Sequence, residues 1–217
     1  MTRVAIAFSG MPRLFRESVL CWQNIISRYN ADVYVHTWTD HPVSGAEIVG
    51  MLKHVFNPAS TMLSRLPFVD ESKFTNLHVA NGVSVYKSQC MWHSVRLANE
   101  MVKRSGREYD LIIRARSDHF IENFEMLEFD GLVVPYDEDK HVLKFNYMGY
   151  DLHGLNDCVA YAPPKYMDMY VQTLDMMPQL HREDNIVYIP EILLSAALCK
   201  IGLPVLQQKM TQRLVRG

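Results

Sequence analysis

Four cysteines in 217 residues, with no C-x-x-C pair among them, are too few and too scattered to staple a fold. Cys21, Cys90, Cys158 and Cys199 each sit among apolar neighbours, which predicts buried, reduced thiols and a reducing, cytoplasmic setting. No apolar run approaches the ~20 residues a spanning helix needs. The run in Met1–Phe8 is too short for a signal peptide and reads directly into a strand. Basic charge is also lacking: 22 Lys and Arg stand against 24 Asp and Glu, a formal net charge of −2. That balance excludes a general nucleic-acid binder, and no stripe interleaves basic with aromatic residues. The chain has no G-x-x-x-x-G-K-[ST], no G-x-G-x-x-G and no G-x-S-x-G. P-loop, dinucleotide and nucleophile-elbow chemistries are thereby set aside. Its nine histidines form neither H-E-x-x-H nor a Cys/His zinc spacing.

What remains is an ordinary globular composition, 48% hydrophobic and 21% charged, on a chain long enough for its own core. No linker, repeat or low-complexity segment divides it, so residues 1–217 are read as one domain. Val4–Phe8 is a short apolar strand, Phe15–Tyr29 carries helical spacing, and Asp32–Trp38 is rich in β-formers. This strand–helix–strand opening predicts an α/β domain with a Rossmann-like, mostly parallel central sheet flanked by helices. Thr39–Val83 is interrupted by Pro and Gly, with one helix expected over Ala46–Val55. Further on, a helix is expected over Tyr86–Lys103 and strands over Leu111–Ile113 and Leu132–Val134. Asp137–Lys140 reads as a charged turn, and Asp151–Asp157 as a turn before a strand at Cys158–Tyr161. Helices follow at Lys165–Met177 and Ile192–Lys200, the latter opened by Pro190-Glu191.

The most informative stretch is Tyr109–Phe120. A buried apolar strand passes into Arg114, Arg116, Asp118 and His119, and burying such groups unpaired costs several kcal/mol or more. The strand must deliver them to a metal, a phosphate or one another. Ligands bind at the carboxyl ends of α/β strands, where a carboxylate can hold a cation and arginines the phosphates beside it. Ser9, Gly10 and Arg13 lie between the first strand and helix, where a backbone can approach a nucleotide, although a plain tight turn explains the same residues. His36 and Thr37 end the second strand, placed either to line a base or ribose pocket or to pack in the core. Asn156 and Asp157 precede a buried strand and offer the acceptors and amide that hold sugars. Glu191, at a helix start, is either a dipole partner or a general base.

Taken in order, Phe8–Arg13, Asp32–Trp38, Tyr109–Asp118, Gly154–Tyr161 and Pro190-Glu191 resemble a small GT-A-type glycosyltransferase of the bacterial and viral surface-polysaccharide kind. The resemblance covers most of the chain and is weak between Thr39 and Val83. It implies a GT-A-like fold and a hexosyltransferase-like enzyme that moves a sugar from a nucleotide-sugar donor, by default a UDP-sugar, to an acceptor hydroxyl on an unknown glycan or other molecule. The family's D-x-D is matched by Arg116-Ser117-Asp118, which keeps only the second carboxylate. The implied metal ligand is therefore Asp118, for Mn²⁺ or Mg²⁺, with Arg13, Arg114 and Arg116 helping to neutralise the diphosphate. The family's E-D element is matched by Pro190-Glu191-Ile192, which makes Glu191 the first choice of base and Asp157 the second. The family's late histidine has no counterpart after Glu191, since the last one here is His181; His153 and His119 are the nearest substitutes. Two rivals accompany this reading: a sugar-phosphate nucleotidyltransferase and a non-catalytic nucleotide-sugar-binding protein.

Overall fold

The computed structural model describes residues 2–11, 15–39, 45–74, 83–116 and 118–214. The first half winds as β1 (Val4–Ser9), α1 (Phe15–Tyr29), β2 (Asp32–Trp38), α2 (Gly45–Phe56) and β3 (Ser60–Ser64). A long helix α3 (Val85–Arg104) then leads into β4 (Leu111–Ala115). After β4 come β5 (His119–Glu122), β6 (Leu132–Pro135), α4 (Glu138–His141), and a hairpin of β7 (Lys144–Tyr147) and β8 (Tyr150–His153). The chain finishes with β9 (Val159–Ala162), α5 (Pro164–Val171), α6 (Thr173–Arg182), α7 (Pro190–Lys200), β10 (Val205–Gln208) and β11 (Thr211–Leu214).

Among the described residues, seven strands form the central sheet in the order β10-β6-β9-β4-β1-β2-β3. β1 pairs in parallel with both β2 and β4, and β10 pairs in parallel with β6. β9 alone runs against its neighbours β4 and β6. This is the α/β fold with a mostly parallel sheet that the sequence predicts.

Strand side chains alternate between two cores. Val4, Ile6 and Phe8 join Trp22 and Ile25 of α1 and Leu52 and Phe56 of α2 on one face. Ala5, Ala7 and Ile112 face the other, under α3, α5, α6 and α7. The alanines let α3 press close to the sheet, and burying an apolar side chain such as Val95 contributes roughly 1.5–3 kcal/mol. No described helix is long and apolar enough to cross a membrane.

Several local expectations need correction. Glu138–His141 form a short helix where a turn is expected, capped by Asp137, whose side chain accepts from the Asp139 N–H. The helix expected over Lys165–Met177 is two helices, because the Thr173 hydroxyl donates to the Tyr170 carbonyl at 2.6 Å and competes with the ladder. Asp151 to His153 lie in a strand rather than a turn. Of the cysteines only Cys90 is buried; the others are half-buried.

Candidate functional site

The order β3-β2-β1-β4 means that the chain winds outward from β1 and returns on its other side. Such a reversal leaves a crevice outside the carboxyl ends of the two strands concerned, here β1 and β4. Ser9 and Gly10 leave β1 at that edge, and Arg116 and Asp118 leave β4 there. Because β9 runs backwards, its start lies beside the end of β4, which brings Asn156 and Asp157 to the same edge. Tyr136 and Asp137 follow the end of β6, and the loop after β10 arrives alongside.

A cleft of about 820 Å³ opens here. It gathers four of the residues expected from sequence: Arg116, Asn156, Asp157 and Glu191, with His119 beside them. It also gathers residues that sequence reasoning passed over: Tyr136, Asp137, Lys140, Cys158, Met210 and Thr211. The one available signal for these was the charge density of residues 137–140 directly after a buried strand. Asn156 brackets the cleft. Its Oδ1 accepts from Cys158 N at 2.9 Å, and its Nδ2 donates to Asp137 Oδ2 at 3.1 Å, joining the start of β9 to α4.

Glu191 opens α7, as its position predicts, and its carboxylate receives an ion pair from Lys140. The Leu155 N–H donates to the Glu191 carbonyl at 3.1 Å, so the helix start and the strand approach are tied together. Burial works against the charge on Lys140. The hydrogen bond that Lys140 donates to Glu191 and the charges of Glu191, Asp157 and Asp137 outweigh it and hold Lys140 above the ordinary lysine range. α4 itself is pinned. The His141 and His153 rings stack at 3.8 Å, His153 Nδ1 donates to the His141 carbonyl at 2.6 Å, and the Gly154 backbone packs on the Lys140 carbonyl.

Arg116 grips Asp118 through two bonds, Nε to Oδ1 and Nη2 to Oδ2, both 2.9 Å. Burial opposes the Arg116 charge, yet the Asp118 bonds and nearby negative groups hold it above the ordinary arginine range. Asp118 is 2% exposed and is absent from the cleft lining. Both its oxygens are occupied, and among the described residues no three His, Cys, Asp or Glu side chains converge on a common point. This donor set does not fit a protein-held divalent cation at Asp118.

Arg114 takes the other side of the sheet from the apolar Ile113 and Ala115, in register between Ala7 and Ala160. Its side chain is 1% exposed, and Nη1 donates to the Asp157 carbonyl. The structure therefore places Arg114 beneath the Asp157 loop and not among the residues that line the cleft.

The first-half residues form a separate polar cluster at the same sheet edge. Gly10 has φ +96, a conformation that favours glycine, and its N–H donates to Ser94 Oγ at 2.7 Å. His36 Nδ1 meets the same hydroxyl at 2.6 Å. Burial, with the charge of His93, pushes the His36 imidazole down to about 4, so it is neutral at pH 7. Ser9 Oγ and His36 Nε2 are buried with no protein partner among the described residues. Thr37 is also buried but points to the opposite face, as strand alternation requires. None of the four lines the 820 Å³ cleft. Arg13 lies outside the described residues.

No family model matches this chain, and neither does any curated protein. The solved structures it is similar to include the crystal structure of a glycosyltransferase involved in the glycosylation of the major capsid of PBCV-1. That likeness has a TM-score of 0.47 at 9% identity and covers 95% of this chain and 82% of that one.

Proposed function

We propose that this protein is a nucleotide-sugar-dependent glycosyltransferase of GT-A-like architecture, with a UDP-sugar as donor and a hydroxyl-bearing acceptor. The observation that carries the reading is a cleft at the carboxyl edge of the sheet. It assembles Arg116, Asn156, Asp157 and Glu191, which the sequence resemblance had marked one by one, from three separate stretches of chain. A planar guanidinium suits a diphosphate, an amide and a carboxylate suit sugar hydroxyls, and a helix-opening carboxylate suits a base.

In this reading Glu191 takes the proton of the acceptor hydroxyl as that oxygen bonds the anomeric carbon. The bond from the anomeric carbon to the diphosphate breaks, and its electron pair leaves with the diphosphate, where Arg116 offsets the charge. Asp157 is the second choice of base. Asn156, already bound to Asp137, orients the sugar with little freedom to lose.

A thermal-shift screen of nucleotide sugars with and without Mn²⁺ or Mg²⁺, followed by product analysis, tests the reading. Specific binding raises the apparent stability of the folded state. Stabilisation by a UDP-sugar with slow release of UDP supports a transferase. Pyrophosphate release from a sugar phosphate and a nucleoside triphosphate identifies a nucleotidyltransferase instead. Saturable binding without turnover over a broad acceptor panel identifies a non-catalytic binder.

A further inference from the structure

The cleft's own cations are both occupied. Arg116 is held by two bonds to an acid that is almost wholly buried, so withdrawing it would strand a carboxylate in the protein interior. Lys140 differs in every respect that matters for exchange. It meets Glu191 through one oxygen, and its side chain is 33% exposed against 14% for its partner. An ammonium on a flexible stem re-aims its donors without re-orienting a planar fork. The backbone beneath it cannot follow, since α4 is capped by Asp137, stacked through His141 on His153, and seated on Gly154. Only the side chain is free to swing.

We infer that Lys140 is a transferable cation, bound to Glu191 when the cleft is empty and handed to the donor's diphosphate when it fills. The transfer does two things at once. It brings positive charge to the leaving group, and it strips Glu191 of the partner that occupies its carboxylate. The base is thereby released only after the donor has arrived, which makes donor binding precede productive acceptor binding. This inference rests on the glycosyltransferase reading, and it adds a residue and an order of events to it.

Competition between Glu191 and phosphate for one ammonium has a signature that a structural ion pair lacks. Calorimetric titration with UDP alone, without metal, reads it. Lys140→Met should weaken UDP binding roughly tenfold, the loss of one charge-assisted contact, and Lys140→Arg should restore most of it. Glu191→Gln should tighten UDP binding severalfold by removing the competitor. In the Lys140→Met background the same Glu191→Gln change should have no effect on affinity, a non-additivity that marks the shared partner. Equal UDP affinity in wild type and Lys140→Met, or weaker binding in Glu191→Gln, overturns the inference and leaves the glycosyltransferase reading standing. A wild-type protein that binds no UDP at millimolar concentration overturns both. If Lys140→Met fails to fold by circular dichroism, the direction of the Glu191→Gln effect decides alone.

Discussion

His36 has no exposed surface, and burial together with the nearby His93 charge lowers its imidazole from 6.5 to about 4. In the unfolded chain it would take up a proton near 6.5. Between those values the unfolded state binds more protons, so stability is fully present above pH 6.5 and drains away as pH falls towards 4. Urea denaturation of wild type at pH 7 and pH 4.5 should differ by on the order of 2–3 kcal/mol more than the same pair of measurements on His36→Gln. A second residue-scale prediction concerns Asp118. Asp118→Asn leaves Arg116 without its charge partner and should cost about 2 kcal/mol in a urea titration, less than for a fully buried pair because Arg116 is 25% exposed. Wild-type stability in that variant would show that the pair is idle. At this scale the sequence revealed which residues carry chemistry but not how they pair. Asp118 and Glu191 were both legible as carboxylates at element ends. That one is locked by Arg116 and the other held by Lys140 follows from side-chain directions and from contacts across 51 residues of chain, which no local pattern encodes.

The elements divide by how local their causes are. β1, β2 and β4 were legible because a buried strand needs an apolar run, and α1 and α3 because their apolar spacing repeats. α3 also has a clear start: Ser84 accepts from the Lys87 N–H at 3.2 Å. Ser84→Ala should lower stability by roughly 1 kcal/mol, measured as a shift in the urea midpoint at unchanged slope. The β7–β8 hairpin was not legible, because its strands are short, half-polar and largely exposed, and only pairing makes them strands. Its function in the fold is to deliver Gly154. A Cβ there would lie 2.8 Å from the Lys140 carbonyl oxygen, and backbone cannot yield as a side-chain tip can. Gly154→Ala should cost about 1–3 kcal/mol through overpacking and speed hydrogen exchange across residues 137–143. Unchanged exchange there would mean that α4 does not depend on this contact.

Across the described residues, the candidate side chains gather towards one edge of the sheet, and a quite different network occupies the other. At the amino edge Tyr109 donates to Asp32 at 2.6 Å, Arg107 pairs with the same carboxylate at 2.8 Å, and Tyr34 joins through its hydroxyl. Those groups satisfy one another. At the carboxyl edge Ser9 and His36 keep buried polar atoms with no protein partner among the described residues. UDP should therefore slow hydrogen exchange in peptides spanning residues 8–11, 36–39, 136–141 and 154–158, and leave residues 30–33 and 106–109 unchanged. Protection confined to the amino edge would move the ligand to the wrong end of the sheet.

The register of the central ladder has a consequence for the newly made chain. β1 cannot meet β4 until the chain has grown far past it; the neighbouring Arg3 N–H donates to Asp110 across 107 residues. By then β1, α1, β2, α2 and β3 can already be paired and packed, since each contact among them is short in sequence. The crevice exists only once β4 slots in beside β1 and β9 closes back against β4. A polypeptide released early would hold a half-sheet with an open β1 edge and no place for a ligand, a species prone to pair with its own kind. The binding edge thus needs β1, β4 and β9 together, and a ligand that waits there rewards only chains in which all three have paired.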